Sequence, residues 1–429
     1  MERSEANIGC IILAEAPSAL VQVCGMSLLE RLLRTLQRCG IERAAILSST
    51  ADIIADHLSQ PSWARQQLSV TLAERGNGSL QPEHLLAAWP EDARRCFIVS
   101  ADVVIDERLL RLILTQESNA ALVDSAIPAE LNLLTEAAPS GEFGKLCGAM
   151  LFDRDWLSRQ TRQFDQALTD GLRDGSVRPI DVAAQPTYYK PLRGDLRPFW
   201  FCAPSATQQR RAESLILDAA QKRTLDAPAL VHAPIETFLI SCLCRTNITP
   251  NQLTLVTNVA AWTTTLLFAT GNLLFGVVLA MLVGVLDGLD GKQARVKVET
   301  TKAGKLEHFL DAIFENSWWI ALGFYFHSSG QLPGALWYLL LVLISQLVDA
   351  LAKLRVAIVH KKSIDELAPI DRVIRLVAGR RNIFVWILAA GVFLGAGPKA
   401  YVALSWWAAI TALVHVCRAI ATTSFQRAV

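Results

Sequence analysis

The sequence predicts two parts of different fold class, an α/β doubly wound domain followed by an all-α domain of six transmembrane helices. The 429-residue chain is 52% hydrophobic and only 19% charged, whereas soluble domains are about 25% charged. Short apolar runs alternate with amphipathic stretches in the first half of the chain, and long apolar segments fill the remainder. These patterns indicate one part built for water and one part built for lipid.

Charge is distributed unevenly between the two parts. Residues 1–245 carry 25 Lys and Arg against 30 Asp and Glu, a net charge of −5, and residues 246–429 carry 16 against 10, a net charge of +6. We expect no nucleic-acid partner, because no basic stripe with interleaved aromatic residues occurs. The nine cysteines form no CxxC pair, which favours free thiols in a reducing compartment. The N-terminal apolar run is short and has acidic flanks, so we expect no signal peptide.

Strands and helices alternate in the N-terminal part. Residues 8–14 predict a buried strand, 27–41 an amphipathic helix, 44–49 a second strand, and 95–105 contain a third. This alternation with short links is typical of a doubly wound parallel sheet. A helix over 205–224 is predicted to end this part.

The sequence therefore predicts a cytosolic domain over 1–224, a juxtamembrane connector over 225–249 and a transmembrane domain over 250–429. The connector contains the run IETFLISCLCR. Such a run predicts an amphipathic helix that lies at a membrane surface.

Six apolar segments follow the connector, and all but the shorter fifth are near the ~20 residues needed to cross a bilayer. They cover 251–271, 273–294, 306–327, 333–356, 382–396 and 399–420. Most Lys and Arg lie at the ends of the second, fourth and sixth segments or in the loops after them, including Lys292 and Arg295, whereas the opposite loops hold one Lys. The positive-inside rule then places both termini in the cytoplasm of a multi-pass inner-membrane protein. A soluble helical bundle is the alternative.

Acidic residues cluster at the end of the second segment and the start of the third. Asp287 and Asp290 are three apart on one helix, and Glu307, Asp311 and Glu315 are four apart on the next, so each set shares a helix face. Because charge at membrane depth is costly, such acids are functional candidates. Facing carboxylates suit Mg²⁺ or Mn²⁺, and two such ions can clamp a diphosphate. Helix-end charges that reach water are the alternative.

The residues that follow the first acid pair suit an anionic or flat ligand. Gly291 and Ala294 are about one turn apart, which leaves room for a ligand or for close helix approach. Arg295 and the lysines beyond it are candidates for binding phosphate oxygens.

These residues belong to a run that resembles the signature of the CDP-alcohol phosphotransferases, D-x2-D-G-x2-A-R-x8-G-x3-D-x3-D. The run is Asp287-Gly-Leu-Asp290-Gly291-Lys-Gln-Ala294-Arg295, followed after eight intervening residues by Gly304. Residues 247–254 also resemble the start of that family's first transmembrane helix, and Thr249 before Pro250 is typical of a helix start. The resemblance covers roughly residues 246–420.

The second half of the signature departs from the family pattern. In strict register its last two aspartates fall on His308 and Ala312, which would make the site defective. A one-residue deletion in the loop places them on Glu307 and Asp311 instead, and we favour this alignment because loop deletions cost little. Glu307 would then replace an aspartate with one extra methylene.

The resemblance implies a reaction between a CDP-alcohol donor and a hydroxyl acceptor, with release of CMP, in phospholipid or polar-headgroup synthesis. It implies four ligands for two Mg²⁺ or Mn²⁺ ions, namely Asp287, Asp290, Glu307 and Asp311. Asp311 would also be the general base that deprotonates the acceptor. The resemblance also suggests a homodimer.

Further residues receive roles by the same resemblance. Gly291 and Ala294 would contact the cytidine group, and Gly304 would shape the loop. The candidates for binding an anionic substrate are Arg295, Arg355, Arg380, Arg381 and Arg418. For the arginines after Arg295, anchoring by the positive-inside rule is the alternative.

The N-terminal part resembles the sugar-phosphate nucleotidyltransferases. The segments that carry this resemblance are Ile11-Ile-Leu-Ala14, Val23-Cys-Gly25-Met-Ser-Leu28-Leu29-Glu30-Arg31 (compare V-x-G-x-P-L-L-x-R) and Ser100-Ala-Asp102. Bifunctional inositol-phosphate cytidylyltransferase/CDP-inositol transferases join such a domain to a CDP-alcohol phosphotransferase. Residues 212–222 look like the junction helix of those fusions.

The chemistry of this N-terminal domain is depleted. A triphosphate site needs a cradle of backbone N–H groups, but Glu15-Ala-Pro-Ser-Ala-Leu20 holds neither Gly nor a basic residue. The segment 200–204 lacks the acids that the fusions carry there, so Asp102 remains the one candidate metal ligand. We expect a degenerate nucleotidyltransferase that is structural, regulatory or a weak nucleotide binder.

Three alternatives remain beside a membrane CDP-alcohol phosphotransferase. One is a bifunctional enzyme that also makes its own CDP-alcohol. Another is a membrane pseudoenzyme, which the displaced Glu307 would favour. A transporter is the third and weaker alternative, because the acids cluster at one membrane edge.

Overall fold

The computed structural model describes residues 8–59, 68–76, 78–223, 226–299 and 304–425, without the side chains of 304–312 and 423–425. The chain divides into two compact units. The first comprises Met1–Ala219 and Val296–Thr300, and the second comprises Ala220–Arg295 and Thr301–Val429.

The first unit is built on one large mixed sheet. The strands of this unit are β1 (Ile8–Leu13), β2 (Gln22–Val23), β3 (Met26–Ser27), β4 (Arg43–Ser48), β5 (Ser69–Glu74), β6 (Arg95–Ser100), β7 (Val103–Ile105), β8 (Ala120–Asp124), β9 (Ser140–Gly141), β10 (Gly144–Asp153), β11 (Arg178–Asp181), β12 (Tyr188–Tyr189), β13 (Gly194–Asp195) and β14 (Trp200–Cys202). The sheet runs in the order β11-β8-β10-β6-β1-β4-β5, with β9 paired to β10.

The sheet differs in one respect from the parallel sheet that the sequence predicts. β1 is parallel to β4 and β6, as predicted, but β10 is antiparallel to both β6 and β8. The described connection from β8 to β10 contains the short strand β9 and no α-helix. A parallel return needs a crossover, usually helical, whereas an antiparallel strand does not.

Helices cover both faces of this sheet. They are α1 (Leu28–Arg38), α2 (Ala51–Ser59), α3 (Pro82–Ala87), α4 (Glu107–Leu114), α5 (Arg154–Ser158), α6 (Phe164–Asp174) and α7 (Gln209–Ala219). Alternate residues of β1 point to opposite faces. Cys10 and Ile12 pack in one apolar core with leucines of α1 and α4, and Ile11 packs in a second core with residues of α6. Two cores on one sheet are what a doubly wound arrangement requires.

The short segment 296–299 packs within the first unit, although it follows a helix of the second. Arg31 and Arg34 of α1 are only 6% and 4% exposed. Their guanidinium groups donate to the carbonyl oxygens of Val296 and Lys297, both at 2.8 Å. Arg34 also pairs with Glu299 at 3.2 Å. The first unit is therefore assembled from two separate pieces of chain.

The second unit is helical. Its helices are α8 (Ala227–Leu243), α9 (Pro250–Ala269), α10 (Leu273–Val296), α11 (Gly304–Ser328), α12 (Ala335–His360), α13 (Pro369–Val377), α14 (Arg381–Phe393) and α15 (Gly397–Phe425). Four stretches among the described residues are long and apolar enough to cross a membrane, namely Leu273–Val296, Ala335–His360, Pro369–Phe393 and Gly397–Thr422. The remaining two predicted segments coincide with α9 and α11, so the count of six spans stays a prediction.

The fifth predicted segment, 382–396, corresponds to α14 and is short as expected. The structure adds α13 ahead of it, which the sequence analysis did not predict. α13 and α14 together supply the third of the four apolar stretches. The helical path breaks between them, where Ala378 has an extended ψ of 145°.

Aromatic side chains fix the helices of the second unit together. Trp318 of α11 is fully buried and donates from Nε1 to the carbonyl oxygen of Ala261 in α9 at 2.9 Å. Tyr401 of α15 donates its hydroxyl to the carbonyl oxygen of Trp319 at 2.9 Å. Such bonds satisfy polar atoms that lipid cannot, and they set the register of neighbouring helices.

Candidate active site

The signature run occupies the last turns of α10, so its acids and small residues lie on one continuous helix. The entry into α9 is equally regular, because Thr249 caps the helix and Pro250 is its first residue, as predicted. The Thr249 side chain accepts from the backbone N–H of Gln252, whose side chain bonds back to Thr249. This reciprocal cap fixes the start of the helix that packs beside the signature.

Asp287 pairs with the first residue of α14. The Arg381 guanidinium contacts Oδ2 of Asp287 at 2.5 Å, and the arginine side chain is 11% exposed. Its Cζ lies 5.2 Å from the ring centroid of Phe314, within range of a cation–π contact. Arg381 is a predicted ligand of an anionic substrate, and in the structure it has an anionic partner within the chain.

Asp290 is held from α9. The hydroxyl of Thr254 donates to Oδ2 of Asp290 at 2.7 Å, and the carboxylate is almost fully buried. Thr254 belongs to the segment 247–254 that resembles the family's first helix. Its role as a partner of the second signature acid was not predicted.

The small residues of the signature remain open. Gly291 and Ala294 are both partly exposed, and a Cβ on Gly291 would lie 3.3 Å from a terminal nitrogen of Arg295. Arg295 donates from Nε to the carbonyl oxygen of Ala220 at 2.6 Å. A cationic guanidinium beside an uncovered glycine is suited to a phosphate-bearing ligand.

The acids of α11 are only partly described. Gly304, Glu307 and Asp311 lie in the first turns of α11, but their side chains fall outside the described residues. The alignment on Glu307 and Asp311 therefore stays a prediction. Glu315, one turn further on, accepts a 3.4 Å bond from Nε2 of Gln346 in α12.

Within the described residues, no group of three or more His, Cys, Asp or Glu side chains could hold a metal ion. Two of the four predicted ligands are outside that search. The two carboxylates that are described present oxygen donors, which are the ligands that Mg²⁺ and Mn²⁺ prefer. The donor chemistry fits the proposed ions, and the ligand set stays a proposal.

The other candidate arginines are spread over the cytoplasmic helix ends predicted from the sequence. Arg355 lies on α12 and Arg380 directly precedes α14. Arg418 of α15 contacts both carboxylate oxygens of Asp371 at 2.6 and 2.8 Å. This bidentate pairing ties α13 to α15 and favours the anchoring role for Arg418.

Lys292 was predicted to belong to a basic loop, but the structure places it in a helix. It lies inside α10 and is 1% exposed. Its ammonium group donates to Oε1 of Gln221 and to the hydroxyl of Thr237, both at 2.6 Å. A lysine counted in a basic cluster is thus a buried structural group of the signature helix.

Two polar residues of α8 were missed. His232 and Glu236 are 4% and 8% exposed and lie against Gly284 and Gly288 of α10. Burial lowers the pKa of His232 and raises that of Glu236, the latter opposed by the positive charge of Lys292. An acid inside the apolar run IETFLISCLCR was the signal that could have identified Glu236.

A cluster of three polar residues within the apolar helices was also not predicted. Asp349 of α12 accepts from Lys353 at 2.6 Å and pairs with Nδ1 of His415 in α15. Ionisable groups this deep in apolar helices either join helices or serve function. Here the three groups satisfy one another, which is sufficient for joining α12 to α15.

The loop after β1 carries its own anion. The Glu15 carboxylate accepts from the backbone N–H of Ser49 at 3.1 Å, from its hydroxyl, and from Arg75 at 2.7 Å. Glu15 follows β1, and Asp102 follows the adjacent parallel strand β6, where it accepts from the hydroxyl of Ser100 at 2.5 Å. The donors that a phosphate would need at this edge are therefore engaged by Glu15.

The comparison with protein families decides the character of the second unit. Residues 247–417 match the family model of the CDP-alcohol phosphatidyltransferases. This region is a CDP-alcohol phosphatidyltransferase domain. It contains the complete first half of the signature, together with Thr254 and Arg381, the partners of its two acids.

A curated relative matches both parts of the chain. The chain is 25% identical over 338 residues to a "Bifunctional IPC transferase and DIPP synthase" of Rubrobacter xylanophilus, covering 72% of this chain and 73% of that protein. The matched family and this relative are both transferases, and the chain is a transferase on these two findings.

Solved structures show weaker similarity. A putative glucose-1-phosphate thymidylyltransferase from Bacillus anthracis has 14% identity and a TM-score of 0.35, covering 49% of this chain and 95% of its own. HddC from Yersinia pseudotuberculosis has 13% identity and a TM-score of 0.36, covering 48% and 99%.

Proposed function

We propose that this protein is an integral-membrane CDP-alcohol phosphotransferase whose N-terminal domain has lost nucleotidyl transfer. The observation that carries the proposal is the intact run from Asp287 to Arg295 on α10, with both acids held by partners on other helices. Such support is what a preorganised site for charge stabilisation needs.

The proposed reaction is a displacement at phosphorus. The acceptor hydroxyl attacks the phosphorus nearer the alcohol of the donor, the bond from that phosphorus to the bridging oxygen breaks, and CMP leaves with that oxygen. Asp311 would take the hydroxyl proton. Asp287, Asp290, Glu307 and Asp311 would hold two Mg²⁺ or Mn²⁺ ions, which neutralise the diphosphate when bound.

We favour a polar, inositol-type donor over a lipid donor. The name of the Rubrobacter relative and the resemblance to CDP-inositol transferase fusions support this choice. Synthesis of a phospholipid is the second assignment, since apolar helices surround the site. The protein would then act in the inner membrane through six spans, with its site on the cytoplasmic side and as a homodimer.

A bifunctional enzyme is the second candidate, because the relative of both parts carries two activities in its name. Glu15 argues against it. A carboxylate that already accepts from Ser49 and Arg75 would repel a triphosphate at the same sheet edge.

The test is CMP release by the purified full-length protein in lipid vesicles with Mg²⁺ or Mn²⁺. CDP-inositol and CDP-diacylglycerol are offered as separate donors with matched hydroxyl acceptors, and Asp287→Asn and Asp311→Asn are run beside the wild type. We expect release with the polar donor that both variants lose. Wild-type protein that releases no CMP, while a known family member is active in parallel, would indicate the pseudoenzyme.

The same preparation tests the second candidate. CTP and inositol phosphate are added without a CDP-alcohol, and pyrophosphate is measured. We expect none, and sustained pyrophosphate release would establish the bifunctional enzyme instead.

A further inference from the structure

α8 presents its polar side chains inward and its apolar side chains outward. The buried positions recur every fourth residue at Pro228, His232, Glu236 and Ile240. The exposed residues of the same helix are large and apolar, with Phe238 at 67%. This pattern is the reverse of a surface helix in water, and it commits a histidine and a glutamate to the interior of the helical unit.

Two glycines of the signature helix receive these polar side chains. A Cβ on Gly288 would lie 2.4 Å from Oε1 of Glu236, and a Cβ on Gly284 would lie 3.0 Å from Cε1 of His232. Gly284 and Gly288 are one turn apart, so α8 and α10 meet along one line of small residues. Gly288 directly follows the first signature acid, which places the Glu236 carboxylate against the backbone of the catalytic run.

A buried lysine continues the same line. Lys292 is one turn beyond Gly288 and donates to Gln221 and to Thr237, the neighbour of Glu236. The Gln221 side chain and the charge of Lys292 both oppose the rise that burial causes in the pKa of Glu236. A fully buried ammonium is stable only when it is paired or well solvated by polar groups, and the oxygens of Gln221 and of Thr237, the neighbour of Glu236, accept from Lys292.

The contacts use the positions that the family signature leaves free. Gly288, Lys292 and Gln293 are three of the four unspecified residues of D-x2-D-G-x2-A-R, and Gln293 donates to the carbonyl oxygens of Leu243 and Ile248. The specified positions of the run are thus available for the proposed reaction, whereas the unspecified positions between them contact the connector.

We propose that Glu236 is a positioning residue: through Gly288 and Lys292 it fixes the rotation of α10 that presents Asp287 and Asp290 to the proposed metal ions. This inference rests on the proposed function, and it assigns the connector helix α8 a role in positioning the site. Groups that support metal ligands from behind typically change metal affinity or activity by about 10- to 100-fold when removed.

The test measures binding of Mn²⁺ alone to the full-length protein by electron paramagnetic resonance of the free ion, which does not depend on turnover. Glu236→Gln keeps the shape of the side chain and removes its charge, and we expect about tenfold weaker Mn²⁺ binding. Ile235→Ala, on the exposed face of the same helix, is the matched control and should bind as wild type. Unchanged Mn²⁺ affinity in Glu236→Gln would overturn the proposal.

A double-mutant cycle separates positioning from general damage. Gly288→Ala displaces the Glu236 carboxylate, so it should weaken Mn²⁺ binding in the wild type and add nothing to Glu236→Ala. Independent, additive losses would show that the two residues act separately and would refute the coupling. If wild type binds Mn²⁺ and the cycle is coupled but no donor yields CMP, the positioning inference stands and the proposed function fails.

Discussion

Removal of the Arg381 guanidinium is the perturbation that most directly probes the candidate site. Arg381→Ala leaves Asp287 without its partner at 2.5 Å. Breaking a buried ion pair costs about 3–5 kcal/mol, and an exposed pair contributes about 0.2–1 kcal/mol. The side chains of this pair are 11% and 30% exposed, which places the loss at about 1–3 kcal/mol. That loss is a loss of folding stability. We expect kcat/KM to fall as well, because Asp287 is no longer held in place, by the roughly 10- to 100-fold that is typical when a group supporting a metal ligand is removed.

The assay is CMP release in vesicles across a range of donor concentrations. Arg375→Ala is the matched control, because Arg375 pairs with Asp365 at 3.0 Å with comparable burial but outside the signature contacts. The control should lower thermal stability and keep kcat/KM within about twofold of wild type. If Arg381→Ala retained wild-type kcat/KM, or if both variants lost activity equally, the reasoning from the pair at Asp287 would be wrong.

Three further predictions concern other parts of the chain. Glu15→Gln removes a charge that Arg75 neutralises and should lower the melting temperature by a few degrees without changing CMP release; a loss of release would show that the first unit takes part in the reaction. Gly391→Ala would place a Cβ 2.2 Å from that of Ala400, so we expect a destabilisation of about 1–3 kcal/mol, measured by thermal unfolding in detergent, and an unchanged transition would contradict this packing. Burial raises the pKa of the cysteines in β1, β6 and β10, so their alkylation at about pH 9 should be slower than that of the exposed Cys242 and Cys417; faster labelling of the buried cysteines, measured by mass spectrometry, would contradict this.

The sequence was sufficient for features that depend on local pattern. The Thr249–Pro250 helix start is present as predicted, and the continuous apolar run of residues 8–14 forms the buried strand β1. Asp287 and Asp290 both lie on α10, where their spacing of three places them on one face as predicted. The complete first half of the signature also predicted the family whose model residues 247–417 match.

Features that depend on partners distant in sequence were not predicted. The antiparallel course of β10 depends on the connection after β8. Lys292 was assigned to a basic loop because a lysine near a helix end usually reaches water, yet polar groups from Gln221 and Thr237 allow its burial. Glu236 was overlooked for the related reason that the connector was treated as a surface helix.

Because residues 296–299 pack within the first unit, the position at which the protein can be truncated is restricted. The two units do not follow one another along the chain. The first unit is discontinuous in sequence, because the chain leaves it after Ala219, returns to it at Val296 and then leaves it again. A polypeptide that stops at Ala219 would lack the carbonyl oxygens that Arg31 and Arg34 bind, and two buried guanidinium groups would lose those partners. Loss of the N-terminal domain during evolution would likewise require a new partner for the loop that links the two signature helices.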